Sequence, residues 1–272
     1  MLDIAVKNLT EEGRLFDVPQ VARQTFSRHF LQSVHCQLTF AEVDIEQILS
    51  SSDAISKMLH LANEDVVERI DEGSIEMRSG GEEHSLKHSS KPVGLLFKRQ
   101  KPRMDVTLRS GSLVLSSYEY TGFDDFLKLQ SEMLQLLEKV VGRAEFTSIG
   151  LRKINSMIIA PVKSLRETLK LFNPALFSLP RSGLTSDDAI KMFEGSVYLE
   201  KNGIASVVRH RLRQLNKPVD FEANLDFDLI YQGLTTSEEV LHKHLPEMNE
   251  TIFDLFSWSV SEDMKNIMSH GD

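Results

Sequence analysis

The hydrophobic pattern of the chain changes period several times, and each change predicts an element. In VHCQLTF, Val34, Cys36, Leu38 and Phe40 alternate with His35, Gln37 and Thr39, the period-two signature of a half-buried strand. From Asp44 to about Ile70 the spacing turns helical, through Ile45, Ile48, Leu49, Ile55, Met58, Leu59 and Leu61. RSGGEEHSLKHSSK (78–91) has loop composition. Three short strands are expected next, VGLLFK (93–98), MDVTLR (104–109) and SLVLSSYEY (112–120), turning at RQKP and SG. A helix over 121–141 follows, with Phe123, Phe126, Leu127, Met133, Leu134, Leu137 and Val141 as its apolar stripe. Thr121 and Asp124 have capping-box spacing, and Gly142 is a stop signal.

The second half repeats this order. FTSIGLRKINSMII (146–159) reads as a strand, and 162–172 and 185–193 as helices. SVYLE and GIASVVRHRLRQL read as strands joined at Asn202-Gly203, a strong hairpin signal. PVDFEANLDFDLIY alternates, with Val219, Phe221, Ala223, Leu225, Phe227 and Leu229 inward. A long amphipathic helix begins at Thr235-Glu238 or Thr236-Glu239, and SEDMKNIM adds a terminal turn or two. Ahead of all this, residues 1–30 read as an arm with one short helix near VARQTFSRHF.

Strand, helix, three-strand meander and long helix thus occur twice. The expected fold is α+β, with pseudo-duplicated units on an antiparallel sheet and the helices on one face. The halves run over 31–142 and 143–272. They are expected to pack as one unit, because the connection from Gly142 to Phe146 is too short for a free linker.

Composition narrows the function classes. The 272 residues are 41% hydrophobic and 26% charged, which is globular. The single cysteine, Cys36, excludes an internal disulfide framework and a multi-thiolate zinc site. The N-terminus lacks signal-peptide features and no run is long enough to span a membrane, so a cytoplasmic chain without membrane contact is expected. A net charge of −9 disfavours nucleic acid as a general partner.

Candidate chemistry is sparse. KNGIAS and RSGS lack phosphate-loop glycine spacing, GLTTS is no nucleophile elbow, and no serine has a plausible local base. His84 and His88 read as solvated loop residues. His242 and His244, two apart on a helix, point away from each other. The acid pairs Asp124-Asp125 and Asp187-Asp188 fit helix first turns. No catalytic set, metal site or cofactor is expected. Arg209, Arg211 and Arg213 share one strand face. A two-residue loop at Asn216-Lys217 would set them opposite Asn224, Glu222 and Asp220, as cross-strand pairs rather than a phosphate stripe. Lys98, Arg99, Lys101 and Arg103 surround a hairpin tip without such a partner row, and are the best charged candidates for an anionic ligand.

Tyr120-Thr-Gly-Phe123-Asp-Asp-Phe126 resembles a Y-x-G-W-x-x-F pattern, and SIGLRKIN resembles R-x-G-L-R-Y-x-N, with Ser148 for the first Arg and Lys153 for Tyr. Leu241-His242, Phe253 and SWSVSEDM resemble an L-H…F…S-x-T-E-x-L close. Together, over about residues 25–268, the chain resembles a sporadically distributed family of uncharacterised prokaryotic proteins. The resemblance implies no activity. The patchy distribution implies mobile genes, including defence against phage.

In SIGLRKIN, Ile149, Leu151, Lys153 and Asn155 share one face, and Gly150, Arg152 and Ile154 the other. Arg152, Lys153 and Asn155 are therefore candidate ligand-binding residues. The preferred role for Arg152 is a mostly buried tie between the halves, paired with an acid of a long helix. Two function classes follow. One is a non-enzymatic binding or assembly protein, such as a sensor or accessory subunit, whose partner is another protein or a second copy. The other is an enzyme or binder that takes a phosphorylated ligand or nucleic acid on a basic surface.

Overall fold

The computed structural model describes residues 15–24, 26–27, 30–62, 64–80, 83–142, 145–160, 162, 164–183, 186, 189–215 and 220–270, apart from the side chains of 74–80 and 83–89. The fold is α+β, with nine antiparallel strands among the described residues. The chain divides into two compact units, one of 33–150 with 233–245, the other of 1–32, 151–232 and 246–272.

The first unit contains β1 (Leu31–Phe40, from Ser33), β2 (Val66–Gly80), β3 (Glu83–Gln100), β4 (Arg103–Arg109) and β5 (Ser112–Ser117), in the order β2-β3-β4-β5-β1. Val34, Cys36 and Leu38 of β1 are fully buried, as the alternation requires. So are Leu115 of β5, Ile48 of α1 (Ile45–Ser50) and Ile55 of α2 (Ser52–Met58). α3 (Phe123–Val141) buries Phe126, Met133, Leu134 and Leu137. Gly142 ends it at φ 79°.

Several expectations are corrected here. The helix expected to about Ile70 stops at α2. His60 adopts φ 51°, and the Leu61 and His60 amides bond back to the Ser56 and Lys57 carbonyls, a Schellman-type ending. The β-branched run at Val66-Val67 then begins β2. Of residues 78–91, expected as a loop, 78–80 and 83–91 lie in paired antiparallel strands, with Arg78 opposite Ser85. Backbone hydrogen bonding prevails there over Gly/Ser composition. The side chains of His84 and His88 lie outside the described residues. Thr121 and Asp124 form no capping box. Gly122 is the N-cap, and the Thr121 hydroxyl donates to Asp125 at 2.6 Å.

The second unit contains β6 (Phe146–Ile159, from Leu151), β7 (Met192–Lys201), β8 (Ile204–Gln214) and β9 (Phe221–Thr235, to Gln232), in the order β6-β9-β8-β7. Phe221, Ala223, Leu225, Phe227 and Leu229 are buried as expected, while Val219 lies outside the described residues. Asn202 (φ 54°) and Gly203 (φ 76°) form the tight turn their sequence predicts. α4 (Leu165–Lys170) falls within the expected 162–172, and α5 (Ser178–Arg181) is an addition. The helix expected over 185–193 is replaced at its end by β7, which takes Met192 and Phe193; the Asp187-Asp188 pair lies outside the described residues. Near VARQTFSRHF the described residues form no helix. Val21 N–H donates to Asp254, and Ser156 N–H to the Phe30 carbonyl.

The helical run after β9 is interrupted. α6 (Ser237–Glu239) opens with the predicted capping box of Thr236 and Glu239. A π-helical turn over Val240–His244 leads into α7 (Leu245–Ser259) and then α8 (Glu262–His270). Pro246 supplies the reason. It has no N–H and its ring crowds the carbonyl four residues back, so the backbone widens and Leu245 N–H bonds to Val240, five back.

Candidate functional site

The register of β8 against β9 builds the site. Arg213 lies opposite Glu222, Arg211 opposite Asn224 and Arg209 opposite Asp226. This is displaced by two residues from the expected register, because the turn is longer than two residues: Leu215 N–H bonds to the Asp220 carbonyl. A shift of two preserves the face, so cross-strand pairing survives with different partners. Arg213 pairs with Glu222 at 2.7 Å, and Arg211 lies 3.6 Å from the same carboxylate. Arg209 reaches Asp226 at 3.3 Å and Asp228 at 3.8 Å.

Arg152 of β6 completes the array. Its Nε donates to one Asp226 oxygen at 2.8 Å and its Nη2 to the other at 2.6 Å, a bidentate fork. The expected acid on a long helix is corrected to an acid on β9, and the expected deep burial to a side chain 39% exposed. The Asp226 hydrogen bond holds the Arg152 guanidinium above its ordinary pKa, although burial opposes it. Burial pushes the Asp228 carboxyl up, and Arg152 and Arg209 oppose that rise.

Arg152, Arg209, Arg211, Asn224 and Asp226 line an open groove of about 670 Å³, to which Ile154 of β6 and Ser196 of β7 also contribute. Arg209, Arg211 and Arg213 are 40–48% exposed at their side chains. Gly195 is required behind the groove. A Cβ there would sit 2.7 Å from Nε2 of His210, whose ring packs edge-on against Phe177 at 5.3 Å. Burial lowers the His210 pKa, with a Leu176 backbone hydrogen bond opposing.

Lys153 and Asn155 turn to the other face of β6. Lys153 donates to Asn249 of α7, and Asn155 is buried with its amide donating to the Leu225 carbonyl. Burial first, and the charge of Arg23 second, lower the Lys153 pKa to about 8. The three candidates of SIGLRKIN are therefore not one constellation.

The hairpin basics belong to the first unit and diverge. Lys98 pairs with Glu68 at 2.9 Å, which corrects the expectation of no partner row. Arg99 donates to the Leu59 and Pro102 carbonyls, Arg103 stacks 4.9 Å from the Tyr118 ring centre, and Lys101 is exposed at the turn. Tyr120, Thr121, Gly122, Asp125 and Phe126 of the Y-x-G-W-x-x-F-like motif line a smaller groove of about 300 Å³.

Sequence reasoning missed one polar chain. His35 lies opposite Ser116, and its two ring nitrogens sit 2.8 Å from the hydroxyls of Ser116 and Ser33. A serine with a neighbouring base therefore exists, contrary to expectation, and the period-two alternation could place His35 on the outer face but not name the serine across the sheet. Ser33 and Ser116 are 4% and 8% exposed, and each hydroxyl is engaged by a nitrogen of the His35 ring. His244 is buried and His242 exposed, and among the described residues no group of three His, Cys, Asp or Glu is arranged to hold a metal. No helix among the described residues is long and apolar enough to cross a membrane.

The charged groove lies on the β6, β7, β8 and β9 strands of an α+β scaffold. No family model matches the chain. No curated protein matches it either.

Proposed function

We propose that this chain is a non-enzymatic binding or assembly protein, and that the arginine–carboxylate groove of the second unit receives another protein. The observation that carries this is the state of the arginines: part-exposed, yet each held by a carboxylate of β9. Arginines fixed in this way lose little side-chain freedom on binding and still present unused N–H groups, the character of interface anchors. Asp226 and Glu222 each serve two arginines, which suits recognition better than proton transfer.

A phosphorylated ligand or nucleic acid is the weaker reading. The acids that lace the groove offset its positive charge, so few counterions would be released on binding a phosphate polymer. The pseudo-duplicated architecture, with helices on one face of each meander, belongs to the same proposal. It is supported by the runs β3-β4-β5 then α3, and β7-β8-β9 then α6 to α7. A cytoplasmic accessory or sensor role in a prokaryotic system, including phage defence, is what the motif resemblance adds.

The test is purification of the tagged chain from its own cells, beside Arg209→Glu and the milder Arg211→Ala. The expected result is a protein that copurifies with the native chain and is lost from both variants while their melting temperatures show them folded. Retention of that protein by both variants, or salt-sensitive copurification of nucleic acid in its place, contradicts the proposal.

A further inference from the structure

We infer that β7 is a self-assembly edge, which pairs antiparallel with β7 of a second copy in the register centred on Gly195. This goes beyond the groove reading and stands whether or not that reading holds. β7 ends the strand order, and among the described residues no strand pairs with its outer side. Met192, Val197 and Tyr198 on it are 54%, 48% and 60% exposed. Between Met192 and Leu199 it carries no proline and one charge, Glu194, so it lacks the usual protection of a sheet edge.

The hydrogen-bond phase restricts how two such strands can meet. Lys201 faces Ile204 across the tight turn, and the Lys191 carbonyl accepts from Gln214 N–H. Odd-numbered residues of β7 therefore bond to β8. The N–H and C=O groups of Met192, Glu194, Ser196, Tyr198 and Glu200 point outward. A two-fold axis perpendicular to the sheet pairs even residues with even ones and keeps each face continuous, the self-complementary geometry of a symmetric dimer.

Charge, together with the covering of exposed Met192, then selects among the allowed registers. Centred on Val197, the pairing would set Glu194 against Glu200 twice; centred on Ser196, it would set Lys191 against Lys201 twice. Centred on Gly195, Met192 meets Tyr198, Phe193 meets Val197 and Glu194 meets Ser196, with no like charges opposed. The exposed apolar residues of the edge then cover one another.

Sedimentation velocity on the full chain over a concentration series tests this, with Ser196→Pro as the breaking variant. Proline at 196 removes an outward N–H without touching the β8 ladder. The expected result is a reversible dimer of the native chain that Ser196→Pro abolishes, with thermal melting confirming that the variant is folded. In the double variant Met192→Cys with Tyr198→Cys, oxidation should link two chains, since paired residues lie within disulfide reach. A chain that stays monomeric throughout, or a dimer that survives Ser196→Pro, overturns the inference. A dimer lost in Ser196→Pro but never linked through positions 192 and 198 overturns the register.

Discussion

Lys153 sits half-buried on β6 with its pKa lowered to about 8. A lysine whose folded pKa lies below its unfolded value holds fewer protons when folded. Its destabilising effect is complete below pH 8 and fades as pH rises toward the unfolded value of about 10.4. Cys36 acts oppositely. Full burial raises its thiol from 9.0 to about 12, so the folded state keeps a proton that the unfolded chain loses, and stability falls above about pH 9. Denaturant midpoints should therefore rise from pH 8 to 9 in the native chain and flatten above that. In Lys153→Met the rise should vanish, leaving only the decline; an unchanged profile would contradict the environment assigned to Lys153. The charges of this region were partly legible in sequence. Alternation placed Arg209, Arg211 and Arg213 on one face, and Arg152 opposite Lys153. The Asp226 partner of Arg152 was not legible, because it depends on which strand lies beside β6, and strand adjacency leaves no periodic trace.

α3 shows what an element-level pattern conceals. Its stripe of Phe126, Met133, Leu134 and Leu137 was readable at helical spacing. Gln130 lies in the same stripe, is fully buried, and has neither amide atom hydrogen-bonded among the described residues. Leaving a buried amide unsatisfied costs about 1–3 kcal/mol. Gln130→Met, similar in volume and apolar, should stabilise the protein by about 1–2 kcal/mol in urea unfolding. A loss of stability would show that the amide has an essential partner. Strands with long alternation, β1 and β9, were well marked. The failures came where composition opposed the backbone: α2 ended by a left-handed His60, which has no glycine to announce it, and a Gly/Ser-rich stretch read as loop whose described residues pair as strands.

At the scale of the molecule, an α+β class was legible from the succession of meanders and long helices. The groove was not, since it sets β6 beside the later β7-β8-β9 meander, a neighbourhood that no local pattern records. The proposed occupant of this groove is a protein partner. Photo-cross-linking in cells tests it most directly, with p-benzoylphenylalanine replacing Ile154 in the groove and, as a control, Gln135 on the exposed side of α3. A protein adduct should form from position 154, not from 135, and should disappear when Arg211→Ala is added. Adducts of equal yield from both positions, or a nucleic-acid adduct at 154, would contradict it.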